Sequence, residues 1–251
     1  MSKITDRIST STAAEQARKH YETEQQSKLP SMIVPLSSGG KIYPKDHPLR
    51  EGKIEMRYMT AYDEDILTNI SYVQEGVMID RLLESISLTK FNIDDMSTFD
   101  KDGLIVYARI LSYGKDYPVT VTDPKTKNEL DRVANLEKIQ PKPFKLTTDD
   151  NGEFEYKTKN NTIKFTYNVK DISDLAPSQF CKTVITQVDD SRSAETIEQF
   201  IRYQFMALDS KKFRTYYVEH CPGLDMNLEF EGEHGGTFTA GFSIKSDFFW
   251  F

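Results

Sequence analysis

Catalysis in this chain would have to start from four histidines, two cysteines and a few close-set acids. His220 and Cys221 are adjacent, so their side chains diverge rather than meet as base and nucleophile; Cys181 and Cys221 are expected to be buried structural thiols. His20 lies in a polar stretch, His47 in a proline-rich turn and His234 in a glycine turn. Ser37-Ser38-Gly39-Gly40 has the small residues of a phosphate loop but not its Lys-Ser/Thr ending, and is expected as a surface turn. Asp63, Glu64 and Asp65 follow Thr60, a helix-capping type, and are expected to offset the positive end of a helix dipole. Asp94 and Asp95 read as loop-to-helix punctuation. No catalytic residue, cofactor site or metal site is assigned from these patterns, and the expected function is not enzymatic.

A different chemistry stands at the end of the sequence: Phe248, Phe249, Trp250 and Phe251 in succession, Trp250 being the one tryptophan. Each buried aromatic hides roughly 150–250 Å², so four represent about 600–1,000 Å² of apolar surface. That much surface must be covered, either by the chain's own domain or by a partner. These four are the candidate partner-binding residues, with an expected split in which one face of an extended end seals the domain and the other offers a contact.

Composition limits the partners. A 251-residue chain of net charge −7 is long enough to bury a core and too acidic for a general nucleic-acid binder. Lysines recur at Lys125, Lys127, Lys138, Lys142, Lys145, Lys157, Lys159 and Lys164, but acids interleave with them, as on a solvated surface. Two cysteines imply no disulfide framework and fit a reducing compartment. No apolar run approaches the ~20 residues of a membrane span, and MSKITDRISTSTAAEQ does not read as a secretory signal.

Periodicity supplies the elements that must hold these residues. Residues 1–28 are polar, without an apolar stripe, and read as an arm. From Leu29, LPSMIVPLSSGGKIYP reads as short extended pieces between turns. Lys53 to Met59 alternates as a half-buried strand with Ile54, Met56 and Tyr58 inward. Ile79, Leu82, Leu83 and Ile86, then Leu104, Tyr107, Ala108 and Leu111, each mark an amphipathic helix. The second carries Asp100 and Asp102 at its start and Gly114 past its end. YPVTVT, the Phe154–Tyr156 region and TIKFTY read as strands. Phe180, Val184, Ile185 and Val188 fit one helical face, and Ile197, Phe200, Ile201, Phe205 and Leu208 another. A helix from Asp209 turns Phe213, Tyr216 and Tyr217 inward and stops at Pro222-Gly223. Two strands, Met226 to Phe230 and Thr237 to Ile244, close the chain around a glycine turn.

Taken together, SSGGKIYP with KIEMRYMTAYDEDIL, ARILSYGKDYPVTVTDPKT, and CPGLDMNLEFEGEHGGTFTAGFSIKSDFFWF resemble the baseplate hub assembly proteins of T-even-like tailed bacteriophages, over residues 30–251. Members of that family often carry two Cys-x-x-Cys pairs, a ligand set for a zinc ribbon. Here Asp123 and Thr126 stand at the first pair of positions and Glu231 and His234 at the second, so no thiolate remains and a metal-free ribbon is expected. The resemblance implies a non-enzymatic hub assembly factor or hub component. It would meet other hub or tail proteins in the host cytoplasm during assembly, with the virion tail baseplate as a second expected location. The alternatives are a divergent ribbon module binding nucleic acid, or an enzyme acting during assembly.

The expected fold is α+β: a mainly helical body with a small, metal-free, zinc-ribbon-like antiparallel β subdomain. The expected parts are the arm 1–28, a strand-and-helix part 29–114, the β subdomain 115–170, a helical part 171–223, and the C-terminal hairpin with its aromatic tail, 224–251. No cofactor and no membrane contact are expected.

Overall fold

A computed structural model describes residues 28–170, 172, 174–242, 248 and 249. The expected polar arm therefore lies almost wholly outside the described residues, as do Trp250 and Phe251. Strand β1 (Ser31–Pro35) pairs antiparallel with β2 (Lys53–Arg57), Val34 facing Ile54 across the register. Helices α1 (Ala61–Thr68), α2 (Ile70–Glu75), α3 (Met78–Ile86) and α4 (Thr98–Tyr113) follow. The apolar spacing seen in the sequence is realised in α3 and α4, which bury Leu82, Leu83 and Ile86, and Leu104, Ala108 and Leu111. Gly114 caps α4, with its N–H on the Ile110 carbonyl at 3.0 Å.

The second half is built from small antiparallel sheets. β3 (Asp116–Thr122) and β4 (Glu129–Asn135) form one hairpin, and β10 (Asn227–Glu231) and β11 (Thr237–Gly241) form another; the two hairpins touch, β10 against β4 and β11 against β3. β5 (Gln140–Pro141) pairs with β9 (Leu224–Asp225). β6 (Glu153–Lys157), β7 (Thr162–Thr166) and β8 (Ile185–Val188) make a three-stranded sheet. Helices α5 (Pro177–Val184), α6 (Ala194–Gln199) and α7 (Ala207–His220) complete the set.

The chain is thus a mixed α+β fold in which strands and helices alternate. Two strands lie within 29–114, and the segment 115–170 feeds three separate sheets rather than one. β8 is a correction to the helical reading of Phe180 to Val188. The helix stops at Val184 because Ile185, Thr186 and Val188 are β-branched and fill the open edge of β7. The stripe through Phe200 and Phe205 is also corrected. After Gln199 the backbone widens into a π-helical turn, Phe200–Gln204. Phe200 and Phe205 still stack, centroids 4.9 Å apart, while Leu208 turns out to solvent. β4 is absent from the sequence-based expectation because ELDRVAN alternates too weakly to stand out.

Two buried carboxylates tie these pieces together. Asp63 accepts from both terminal guanidinium nitrogens of Arg57 at 2.7 and 2.9 Å, from Ser85 at 2.6 Å and from the Thr60 N–H at 2.7 Å. Asp63 stands in the first turn of α1 as expected, in a capping box with Thr60, and is fully buried there. One expectation is corrected: Arg57 rather than Tyr58 turns inward beside Met56. Burial alone would raise the Asp63 carboxyl; the donors from Arg57, Ser85 and Thr60 outweigh it and hold the group below the usual carboxylate range. Removing one partner of such a pair leaves an uncompensated charge, a loss of about 3–5 kcal/mol.

Asp100 is the second carboxylate. It accepts from the Ser38 N–H at 2.8 Å, the Ser38 hydroxyl at 2.7 Å and the Tyr43 hydroxyl at 2.7 Å. The Tyr43 oxygen in turn accepts the Ser97 N–H at 3.1 Å. Ser37 and Ser38 are therefore buried, not a surface turn as the sequence suggests. The carboxylate on α4 supplies the partner that a phosphate would supply in a loop of that composition. Gly40 and Gly52, both in left-handed backbone conformations, let the two arms of this loop close to van der Waals contact; a Cβ on either would overlap the backbone of the other arm.

The same packing makes a test. A Cβ at Gly103 on α4 would overlap the Ser37 hydroxyl, with the Ser37 Cβ itself at 3.6 Å. The Ser37 Oγ is buried without a hydrogen-bond partner. Gly103→Ala is expected to destabilise by about 1–3 kcal/mol, as overpacking does, and Ser37→Ala to cost little. The double variant is expected to recover most of the loss in a chemical-denaturation cycle; strict additivity would contradict this packing.

Candidate functional site

The two touching hairpins bring together the positions singled out by type. The β3–β4 turn carries Asp123 and Thr126; Glu231 ends β10, and His234 lies in the turn that leads to β11. Asp123 joins the turns. Its Oδ1 accepts the N–H of Lys125 at 2.8 Å within its own turn, and its Oδ2 accepts the N–H of Glu233 at 3.0 Å in the other. Asn128 donates to the Glu233 carboxylate at 2.9 Å, and Arg132 Nε to the Glu231 carbonyl at 2.9 Å. The amides of Glu233 and Lys125 hold the Asp123 carboxyl below its ordinary range. No cluster of three or more His, Cys, Asp or Glu groups suited to a metal ion occurs among the described residues.

Beside the hairpins, the aromatic end meets α4. Phe248 and Phe249 are 1% and 5% exposed. Phe248 packs edge-on to Tyr117, centroids 4.9 Å apart, and Phe249 edge-on to Phe248 at 5.5 Å. Between them and α4 sits Arg109, wholly buried, its guanidinium carbon 5.3–5.6 Å from the rings of Tyr113, Tyr117 and Phe248. Desolvated contacts of this kind are worth ~2 kcal/mol or more. Burial draws the Arg109 pKa down from its ordinary value, opposed by Tyr117 and Tyr113. Arg109 escapes periodicity because the stripe Leu104, Tyr107, Ala108, Leu111 leaves it on the far side. The available signal is Ile105, Val106 and Ile110, which make the helix apolar nearly all round, the mark of burial on every side.

The cysteine and histidine candidates remain apart. Cys181 is buried, its sulfur 3.7 Å from the Ser210 hydroxyl. Cys221 donates to the Val218 carbonyl at 3.2 Å, and burial pushes both thiols up, away from the thiolate form. The His220 ring stacks on Tyr216, centroids 4.1 Å apart, with Nδ1 2.8 Å from the Tyr216 carbonyl oxygen. His47 serves locally, accepting the Leu49 N–H at the start of a 3-10 turn, Pro48–Glu51. Asp94 is an exposed ion-pair partner of Lys170 at 2.8 Å. Cys221 borders an open groove of about 470 Å³ floored by Phe99, Phe180 and Tyr217. What these groups offer is packing and shape.

Two outcomes follow. With its folded pKa depressed, Asp123 contributes stability that is complete above the ordinary carboxylate pKa of ~3.9. That contribution is lost as pH falls through the lower folded value. Asp123→Ala should speed amide exchange at Glu233 and Lys125 at neutral pH; unchanged exchange there would contradict the bridge. Phe248→Ala should destabilise the free chain by about 3 kcal/mol or more, as buried aromatic truncations do, measured by denaturant unfolding. A loss below ~1 kcal/mol would mean that the end does not seal the core.

The family described as T4 bacteriophage base plate protein matches residues 30–250. No curated protein and no solved structure matches the chain. Among the described residues, no helix is long and apolar enough to cross a membrane. The match takes in the buried SSGG loop, both carboxylate anchors, the paired hairpins and the aromatic end: the chain belongs to the T4 bacteriophage base plate protein family.

Proposed function

We propose that the chain works at the hub of the tail baseplate, as an assembly factor or a hub component, through contacts with other hub or tail proteins. Family membership carries the coarse part of this reading, a structural or assembly role in the baseplate. The finer part rests on surface chemistry. Large apolar side chains stand in solvent at Tyr62, Ile70, Val73, Tyr203, Met206 and Leu208, each 55–73% exposed, on a surface otherwise rich in charge. Contacts made during assembly would cover them. The terminal aromatics divide the work in this reading: Phe248 and Phe249 close the domain, and Trp250 and Phe251 supply the anchor. The paired hairpins act as a ribbon in which Asp123, rather than a metal, links the two turns.

The test is a nonsense codon in this gene of the phage, scored in permissive and restrictive hosts by electron microscopy and by mass spectrometry of purified particles. Without the chain, baseplates are expected to stall or to lack a complete hub. Presence of the chain in finished virions identifies a hub component, and absence from them an assembly factor. Normal, infectious tails under restrictive conditions would overturn the proposal.

A further inference from the structure

Two groups of exposed apolar side chains lie among charges of opposite sign. The first lies on α1 and α2. Tyr62 is 73%, Ile70 72% and Val73 55% exposed, and Asp65 sits one turn from Tyr62. From Tyr58 to Asp80 the sequence has Asp63, Glu64, Asp65, Glu75 and Asp80 but no lysine or arginine. Asp63 is spent on Arg57 inside the fold, Glu64 accepts the Tyr113 hydroxyl at 2.7 Å, and Asp80 pairs with Lys101. Among the described residues, Asp65 and Glu75 have no ion-pair partner. Helix α2 is firmly delimited, with the Asn69 side chain accepting the N–H groups of Ser71 and Tyr72 and Gly76 closing its end. Yet it buries none of its six residues. A short helix gains its stability from packing an apolar face, and this one presents Ile70 and Val73, neighbours at i and i+3, to solvent.

The second group lies on the π-helical turn and the start of α7. Tyr203 is 68%, Met206 61% and Leu208 63% exposed. Lys211 and Lys212 follow Leu208 by one helical turn, so all three share a face. From Arg202 to Arg214 the charges are Arg202, Lys211, Lys212 and Arg214 against Asp209 alone. Arg202 pairs with Glu198 at 3.3 Å, which also holds Lys182; Lys211 and Lys212 have no ion-pair partner among the described residues. The π-helical turn creates this knuckle. The wider turn keeps Phe200 and Phe205 in the core while the intervening Tyr203 is turned outward.

One face is apolar and acidic, the other apolar and basic, and they stand on different supports: α1 and α2 pack on α3, the π turn on α6 and α5. We propose that the exposed corner made by α1 and α2 of one copy of this chain, with Tyr62, Asp65, Ile70 and Val73 as its contact residues and Glu75 on the other flank of α2 adding negative charge, docks the Tyr203 to Lys212 knuckle of a second copy, head to tail. Complementary charge selects and steers the pairing, and the apolar side chains are covered on both sides. Because the two faces differ, the interface is heterologous. Repetition therefore gives a ring where the rotation closes and an open string where it does not. The inference does not depend on a hub location.

Sedimentation velocity on the full chain over a concentration series, at low and high ionic strength, tests this. Self-association is expected, weakening as salt rises. The double swaps Asp65→Lys with Glu75→Lys, and Lys211→Glu with Lys212→Glu, alter only exposed, unpaired side chains. Each should remain folded by circular dichroism and lose self-association by at least ~tenfold in dissociation constant. Mixing the two swapped variants should restore a complex, since each now offers what the other lacks. A wild-type chain that stays monomeric throughout at low salt would overturn the proposal. So would association that survives both swaps, or swapped variants that fail to recombine. A wild type that is monomeric alone but binds another baseplate protein through either face would also overturn it, while leaving an assembly role intact.

Discussion

The burial of the Asp100 carboxyl fixes more of this molecule than any other single contact. One side chain on α4 receives the Ser38 amide, the Ser38 hydroxyl and the Tyr43 hydroxyl, and through Tyr43 it reaches the Ser97 amide at the start of its own helix. Ser97 in turn donates to the Tyr167 carbonyl at 2.9 Å. Tyr167 lies at the centre of the aromatic cluster formed by Phe154, Phe165 and Tyr217. The N-terminal loop, the longest helix and the three-stranded sheet are thus joined by one polar chain. Burial pushes both the Asp100 carboxyl and the Tyr43 phenol upward. Such a network is stable only while every member is satisfied, which is why glycines at 40, 52 and 103 are required to let it close.

Around this anchor the architecture avoids large sheets. Hairpins and short pairings, each too small to stand alone, lean on α4 and α7 through aromatic side chains such as Tyr117, Tyr156 and Phe165. The arrangement leaves several edges and helix faces at the surface. In a protein of the baseplate family that is a usable property, because short edges and isolated apolar side chains can be covered when subunits meet, whereas a long bare edge would invite aggregation.

Much of this was legible in the sequence where one periodicity ruled. Leu82, Leu83 and Ile86 announced α3, Leu104 and Leu111 announced α4, and the glycine turn at 232–236 announced the final hairpin. The sequence resemblance also pointed to the family that the comparison then matched. The failures share a physical cause: a polar residue whose partner is far away in sequence. Arg57 looked solvent-facing because Asp63 and Ser85 were invisible as its partners. Ser37-Ser38 looked like a surface turn because Asp100 lies 62 positions after Ser38. Asp123 looked like a lost ligand because the Glu233 amide that it accepts is 110 positions away. The helix reading of Ile185 to Val188 failed differently, since a four-residue run with three β-branched members fits either period until an open strand edge decides.

The cage around Arg109 has a consequence for the order in which the chain can mature. Its walls Tyr113 and Tyr117 come from the middle of the sequence, but Phe248 comes from far downstream. At a synthesis rate of ~5–20 residues per second, residue 248 emerges roughly 7–28 s after residue 109. Through that interval the guanidinium has the walls of Tyr113 and Tyr117 but not that of Phe248. Phe248 thus closes over a charge that Tyr113 and Tyr117 have faced since mid-translation. A nascent chain stalled before Phe248 would carry that incomplete cage as a marker of its own immaturity.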